Sequence, residues 1–286
     1  MTETNEYVHT GSLLPGLIST TVGYRSTGAV QGVHRGLPSP TLTFIFSLQD
    51  PIVTAVAPEQ LDTPAAGRTA IITSGLHTRP AFIQQPTTQA GIQMAVHPLA
   101  ARALFGASTA ELGFPVDDGE DVLGVEAERL RARMIQTPLW TERFRLLQDY
   151  LRRRVDDADV AAGVRAEIVA AWIWLARHRG NGSIDGLARH VLLSRRQLHT
   201  LFTRELGIGP KAVNRLMRFQ HAVRAISAAV RSGTTVDLGR VAADCGYFDQ
   251  SHLTRDFRQF TGTSPTGWLA EERRNIQAGS HRSVDD

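Results

Sequence analysis

One repeated spacing constrains the fold of this chain more than any other feature of its sequence. A Leu, a Phe, a Gly and a Pro follow one another at intervals of 4, 5 and 3 residues, and the same series returns 55 residues later. The two series are Leu198, Phe202, Gly207 and Pro210, and then Leu253, Phe257, Gly262 and Pro265. A repeat of this kind predicts two copies of one supersecondary unit.

The first copy has the signals of two short helices joined by a tight turn. Ser183 is placed to cap a short amphipathic helix that runs to about Val191, and Leu192 and Leu193 then form the turn. Ser194, with Gln197 three residues later, matches a capping box that opens a second helix. This order of elements is the helix-turn-helix arrangement.

The second copy has the same organisation. Leu238 and Val241 are spaced for a short helix, Gly246 lies in the turn, and Asp249 is placed to cap a second helix that runs to about Thr261. We therefore expect two helix-turn-helix units in one all-α domain.

The second helix of each unit has an outward face suited to nucleic acid. With Leu198 and Leu253 taken as the inward positions, helical periodicity turns a basic and hydroxyl-bearing set of residues outward. This set is Arg196, Thr200 and Thr203 in the first unit, and Ser251, Arg255 and Arg258 in the second, with Gln250 and His252 at its flanks. No carboxylate lies at the centre of either face. The arginine, glutamine, hydroxyl and histidine side chains of these faces are types that pair with base edges and phosphates. A plain helical bundle with a polar surface is the structural alternative.

The segment between the units predicts one long helix from Lys211 to about Val230. Twenty residues would span about 30 Å, close to the ~34 Å between successive major-groove faces on one side of B-DNA. Such a helix would let one chain place both second helices on one DNA face. Lys211 would then lie near the DNA backbone, although an ordinary surface lysine would look the same.

The charge distribution favours a polyanionic partner for the same region. Residues 183–269 contain 12 Lys and Arg against 6 acids, a balance of +6, whereas the whole chain is +3. The chain has 30 Arg and one Lys, which a GC-rich genome explains most simply, and a solvated surface would give a similar balance. Arginine is nevertheless the side chain best suited to bidentate contacts with guanine.

The second unit also resembles a known family. From Gly246 to Arg258 it reads GYFDQSHLTRDFR, and a Gly-Thr-Ser-Pro series and Trp268 follow. This string resembles the AraC/XylS family of bacterial transcription regulators, and with the first unit and the linker helix the resemblance covers about residues 165–270. Val213 departs from the family, whose members often have an aromatic residue there.

The resemblance implies a double helix-turn-helix domain that binds double-stranded promoter DNA and recruits or blocks RNA polymerase. Carried over by position, the base-reading candidates are Arg196, His199, Thr200, Gln250, Ser251 and Arg255, and Arg195 and His252 are flanking candidates for DNA contact. Lys211, Thr203 and Arg258 are the candidates for contacts with the DNA backbone. Members often act as activators, but the sequence does not give the direction of control.

The N-terminal part predicts a β-rich region followed by helices. Apolar runs predict strands at residues 42–48, 52–56, 69–73, 81–85 and 91–96, and helical patterns begin near Leu99. Thr137 and Pro138 are predicted to start a helix whose apolar stripe contains Phe144, Leu147 and Leu151. The family resemblance implies a cupin-like β-barrel that binds a small-molecule effector, followed by helices that form a homodimer. The stripe could be the dimer seam or could pack against its own barrel.

We therefore expect an α+β chain with four segments. These are an effector-binding and dimerisation domain (1–155), a linker (156–163), the double helix-turn-helix domain (164–270) and a polar tail (271–286). Each domain is long enough to bury its own core. The polar start, the short apolar runs and the lone cysteine predict a cytoplasmic protein without a signal peptide or membrane span.

Alternatives remain open for the N-terminal part. His34, His77 and His97 could form a metal site, but ordinary hydrogen-bonded histidines are favoured, and we expect no metal or cofactor. Apolar strands carrying Phe44, Phe46 and Phe82 could line a pocket or form a plain core. No catalytic constellation is apparent, and Cys245 is interpreted as a structural thiol. A cupin-like enzyme domain and a constitutive regulator without a ligand are the rival functions.

Overall fold

The computed structural model describes residues 3–158 and 163–270. The strands lie in the N-terminal part, and the C-terminal part is helical. In chain order the strands are β1 (Thr4–Thr10), β2 (Ile18–Thr27), β3 (Gly32–Gly36), β4 (Leu42–Ser47), β5 (Ile52–Ala55), β6 (Gly67–Thr69), β7 (Ile71–Thr73), β8 (Ala81–Gln85), β9 (Thr88–Val96) and β10 (Asp117–Asp118). The predicted division into a sheet-rich part and a helical part is confirmed.

The strands form two open sheets and not a closed barrel. The six-stranded sheet has the order β1-β2-β9-β4-β7-β10, and the four-stranded sheet has the order β3-β8-β5-β6. Closure of the predicted barrel is therefore not seen among residues 3–158. The predicted strand at 69–73 divides at Ala70 between the two sheets. Thr69 pairs with Ile52 in the smaller sheet, whereas Ile71 pairs with Phe46 in the larger one.

Four helices accompany the sheets: α1 (Ala101–Phe105), α2 (Gly119–Leu123), α3 (Val125–Gln136) and α4 (Trp140–Asp156). Helix α4 packs closely on the six-stranded sheet at Gly23 in β2. A Cβ atom on Gly23 would lie 2.6 Å from the Trp140 ring, so this contact requires glycine.

The predicted start of α4 is wrong by two residues. Leu139 is its N-cap, and Thr137 instead ends α3. The corner between the two helices is held by Arg143, whose Nε donates to the carbonyls of Met134 at 3.0 Å and Thr137 at 2.6 Å. The two hydrogen bonds from Arg143 stabilise this corner in place of the side-chain cap that Thr137 and Pro138 predicted.

The apolar stripe of α4 packs inside its own chain. Phe144, Leu147 and Leu151 are buried in the same hydrophobic core as Phe44 and Phe46 of β4. Packing against the chain's own sheet is therefore the correct alternative for this stripe, which is not available as a dimer seam.

The C-terminal part contains α5 (Ala166–Arg177), α6 (Ile184–His190), α7 (Arg195–Leu206), α8 (Pro210–Arg231), α9 (Leu238–Asp244) and α10 (Gln250–Thr261). Helices α6 and α7 form the first predicted helix-turn-helix unit, and α9 and α10 form the second. Helix α8 is the predicted connecting helix. Both units and their linker are confirmed.

The hydrophobic cores do not follow the expected pattern of one core for each domain. One core runs from the six-stranded sheet through α3 and α4 into the first unit, where it includes Leu198 and Phe202. A second core lies between α8 and the second unit, where it includes Phe257 and Phe260. The first unit is thus packed on the N-terminal part, whereas the second has a core of its own.

The predicted domain boundaries stay predictions. Helix α4 ends at Asp156 and α5 begins at Ala166, but residues 159–162 of the predicted linker and all of the predicted tail (271–286) lie outside the described residues. None of the described helices combines the length and the apolar composition that crossing a bilayer requires.

Candidate nucleic-acid interface

The first candidate recognition helix, α7, begins at the capping box that the sequence predicted. Ser194 Oγ accepts a hydrogen bond from the Gln197 backbone N–H at 3.2 Å, and Gln197 Oε1 accepts one from the Ser194 backbone N–H at 3.0 Å. This capping box satisfies two backbone donors at the helix start. Leu198, Phe202 and Leu206 are fully buried, which directs the opposite face of α7 to solvent.

The second candidate recognition helix, α10, is built in the same way. Asp249 Oδ1 accepts a hydrogen bond from the His252 backbone N–H at 2.7 Å. Leu253, Phe257 and Phe260 form the buried face. The repeat seen in the sequence is therefore a repeat of packing, because the same positions of both units point into a core.

The predicted DNA-contacting side chains belong to the two recognition helices, except Lys211, which lies in the first turn of α8, and all but His252 are exposed. The exposed ones are Arg195, Arg196, His199, Thr200, Thr203, Lys211, Gln250, Ser251, Arg255 and Arg258. Some make local contacts: Arg195 forms an ion pair with Asp185, and Thr200 Oγ1 donates to the Arg196 carbonyl at 3.0 Å. Both contacts are solvent-exposed.

His252 differs from the other candidates because it is half-buried. Its Nδ1 accepts a hydrogen bond from the Phe248 backbone N–H at 3.4 Å, and its ring lies edge-on to Tyr247 at 5.1 Å. The side chain therefore supports the turn before α10. A role in base reading for His252 stays a prediction.

The carboxylates of the two recognition helices are turned away from the outward faces and paired. Glu205 of α7 accepts two hydrogen bonds from Arg102 of α1, at 2.8 Å and 2.9 Å. Asp256 of α10 is buried and accepts bonds from Arg215 of α8 at 3.1 Å and 2.6 Å. The outward faces keep their positive character, because the acids are neutralised elsewhere.

Sequence analysis missed both arginine partners. Arg102 lies 103 residues from Glu205, and Arg215 lies 41 residues from Asp256, so no local spacing signals either pair. Arg215 also donates to Gln259 at 2.7 Å, which fixes the linker helix against α10.

The linker helix has a length suited to a duplex. Its 22 residues span about 33 Å, close to the ~34 Å between successive major-groove faces. Val213, Leu216 and Ile226 are buried. Val213 therefore packs in the core, although many AraC/XylS proteins have an aromatic residue at this position. The length of the linker helix is therefore compatible with two recognition helices on one side of a duplex.

Comparison with known proteins agrees with this geometry. A family model described as a helix-turn-helix domain matches residues 187–271. The arabinose operon regulatory protein of Escherichia coli (strain K12) is 27% identical over 145 residues, which make up 49% of this chain and 45% of that protein. Over the helix-turn-helix region the chain is therefore similar to regulators of the AraC/XylS type, as the resemblance in its second unit predicted.

The overall fold also has a counterpart among solved structures. The crystal structure of an apo ToxT variant from Vibrio cholerae strain SCE256 matches 87% of this chain and 97% of its own, with a TM-score of 0.50 and 6% identity. At that identity the similarity shows the fold alone. The chain matches less than half the length of the arabinose regulator, so its partners are proposals.

Two of the three histidines singled out in the N-terminal part make ordinary hydrogen bonds to the backbone. His77 Nδ1 lies 2.6 Å from the Arg79 carbonyl, and burial is the largest cause of its lowered pKa. His97 Nδ1 accepts a hydrogen bond from the Leu99 N–H at 3.2 Å, and burial also lowers its pKa. Within the described residues, no three His, Cys, Asp or Glu side chains come together in a way that could hold a metal ion.

The apolar strands form a packed core and not a pocket. Phe44 and Phe46 are fully buried, with ring centroids 5.0 Å apart, whereas Phe82 is half-buried in strand β8 of the smaller sheet. Cys245 is a buried free thiol whose pKa is raised by burial and by Asp244, in agreement with its structural interpretation.

A cavity of about 230 Å³ lies at a different place, beside the edge strand β6. It lies between Thr54, Gly67 and the segment containing Pro115 and Val116, and its lining side chains are uncharged. The Thr54 hydroxyl is buried and has no hydrogen-bond partner among the described residues.

Proposed function

We propose that this protein is a sequence-specific DNA-binding transcription regulator that reads promoter DNA with α7 and α10. The proposal depends on one observation, which is that the chain contains two equivalent recognition helices. In each, the apolar residues and the carboxylate are turned inward and an uninterrupted basic and hydroxyl-bearing face is exposed. The similarity to a helix-turn-helix family and to the arabinose regulator supports the same function, and binding to the chromosome implies a cytoplasmic location.

The proposal gives the exposed side chains two roles. Arg196 and Arg255 occupy the centres of the outward faces, where a guanidinium can bind the O6 and N7 atoms of guanine. His199, Thr200, Gln250 and Ser251 lie beside them as further base-reading candidates, and Arg195 and His252 flank the helix starts. Lys211, Thr203 and Arg258 are assigned to the phosphate backbone, which positions the protein without reading sequence.

In vitro selection from random duplexes, followed by titration of the selected site, tests the function. Arg196→Ala and Arg255→Ala are each expected to weaken binding by roughly 1–3 kcal/mol and to relax the preference at one base pair. Arg133→Ala, at an exposed position of α3 in the N-terminal part, is the matched control and should leave binding unchanged. Recovery of no preferred sequence, or normal binding by both folded variants, would refute the proposal.

We propose in addition that a small uncharged effector controls the protein from its N-terminal part. The cavity beside Thr54 supports this, because its lining side chains are uncharged and would suit a ligand without a net charge. A thermal-shift screen of the full chain against neutral metabolites tests the effector. Ligand-dependent stabilisation that Gly67→Val abolishes supports it, and no stabilisation by any compound favours a constitutive regulator.

We propose RNA polymerase and a second copy of the chain as further partners. The family supports the polymerase, and transcription with purified polymerase from a selected promoter would give the direction of control. A homodimer would need a surface other than the buried stripe of α4, and sedimentation of the full chain measures it directly.

A further inference from the structure

The two most exposed large apolar side chains of the described residues lie immediately before the two recognition helices. Phe248 is 93% exposed and Leu192 is 91% exposed. Leu192 lies two residues before Ser194, the N-cap of α7, and Phe248 lies one residue before Asp249, the N-cap of α10. Each side chain projects from the turn of its own helix-turn-helix unit.

Hydrogen bonds define which turn positions are equivalent. The Leu192 N–H donates to the Arg189 carbonyl at 3.3 Å, and the Gly246 N–H donates in the same way to the Ala243 carbonyl at 3.2 Å. Leucine therefore stands in the first turn where the second turn has glycine. The second turn also has one more residue before its N-cap, and that residue is Phe248.

Leu192 has an unfavourable backbone conformation for its residue type. Its φ angle is 55°, in the left-handed region where the equivalent Gly246 has 76°. A leucine there is strained, whereas glycine is not, and the exposed side chain gains no packing in return. A strained residue without a compensating contact inside the chain points to a contact outside it.

Both turns are held rigidly below these side chains. Tyr247 is buried in the core of the second unit, and the Phe248 N–H is bonded to His252. Leu193 packs at the edge of the other core, and its N–H donates to the Ala188 carbonyl at 3.0 Å. The two apolar groups are therefore presented on an anchored backbone, which lowers the entropic cost of binding.

We propose that Leu192 and Phe248 make apolar contacts with duplex DNA at the edges of the two major-groove segments, against deoxyribose or thymine methyl groups. This inference rests on the proposed DNA-binding function. Each is the only exposed large apolar side chain among the described residues of its unit. The segment that contains both has a charge balance of +6 (12 Lys and Arg against 6 acids), which matches a duplex. A protein partner would need a contiguous apolar patch.

The test uses the full chain, a duplex obtained by in vitro selection, and the variants Leu192→Asn and Phe248→Ser. Each variant is expected to bind about 5- to 20-fold more weakly, as removal of one buried apolar contact predicts. The slope of log affinity against log salt should stay unchanged, because no phosphate contact is lost, whereas removal of a phosphate-bound lysine or arginine lowers it by about 1. Val30→Asn, at an 83% exposed position of the N-terminal part, is the control and should bind normally.

Replacement of single thymines by deoxyuridine distinguishes the two kinds of DNA group. If a thymine methyl is the contact, one replacement weakens the wild type and has no further effect on the matching variant. If deoxyribose is the contact, both variants bind weakly and no replacement is selective. Either result supports the proposal.

Measurements of stability and of transcription can each overturn the proposal that Leu192 and Phe248 contact DNA. Leu192→Asn should keep or raise the unfolding temperature, because asparagine tolerates the left-handed region, and a fall of several degrees would assign the side chain to packing. Unchanged affinity in both variants, or normal affinity with lost activation by purified polymerase, also overturns the proposal. Failure of the wild type to select any sequence refutes the proposed function itself.

Discussion

The ion pair between Arg102 and Glu205 joins the N-terminal part to the first recognition helix, and its strength can be measured. The side chains are 30% and 13% exposed and are joined by two short hydrogen bonds of 2.8 Å and 2.9 Å. Removal of the guanidinium leaves Glu205 mostly buried without its partner. We therefore expect Arg102→Ala to cost about 2 kcal/mol, between the 0–1 typical of surface pairs and the 3–5 of buried ones.

A double-mutant cycle with Arg102→Ala, Glu205→Ala and both together isolates the interaction, and urea denaturation at neutral pH measures it. The coupling energy should be about 1–2 kcal/mol, since the two bonds are charge-assisted and partly shielded from solvent. The same cycle on Arg129 and Glu126, both 66% exposed, is the control and should give below about 0.5 kcal/mol. Additivity of the Arg102 and Glu205 variants within about 0.4 kcal/mol would refute the reasoning.

Three further outcomes follow from local geometry. Ser194→Ala should destabilise the chain by about 1 kcal/mol in urea denaturation, because a backbone N–H of α7 loses its cap, and an unchanged midpoint would contradict this. Gly23→Ala should cost about 1–3 kcal/mol through overlap with the Trp140 ring, whereas Gly11→Ala, with open space around it, should cost less than about 1 kcal/mol. Cys245 should resist thiol reagents in the native protein at neutral pH and react rapidly in denaturant, because burial raises its pKa, and stoichiometric labelling of the native protein would show the packing to be wrong.

The sequence predicted the helical part well because its signals are local. Ser183, Ser194 and Asp249 cap the helices at which they were placed, and the Leu and Phe positions of the repeat are buried. A cap involves residues within one turn, and an inward face needs only a 3.6-residue period. Both can therefore be inferred without knowledge of the rest of the chain.

The N-terminal part was predicted less completely because sheets are stabilised by distant pairs. Strand β1 is largely polar and has no clear apolar alternation, yet it pairs with β2 from Thr4↔Thr27 to Thr10↔Thr21. The division of the strand near Ala70 depends on which sheet each half joins, and nothing in residues 69–73 signals it.

The sequence by itself determined the two helix-turn-helix units, their linker and the basic composition of their outward faces, because each depends on contacts within a few helical turns. Only the tertiary structure decided that the first unit shares a core with the six-stranded sheet. It also decided that α4 lies inside the chain and that Glu205 and Asp256 are paired with Arg102 and Arg215. Those outcomes depend on residues 41 or more positions apart, and no sequence period relates such residues. The same packing leaves Leu192 and Phe248 exposed to solvent, although leucine and phenylalanine are residue types that are usually buried.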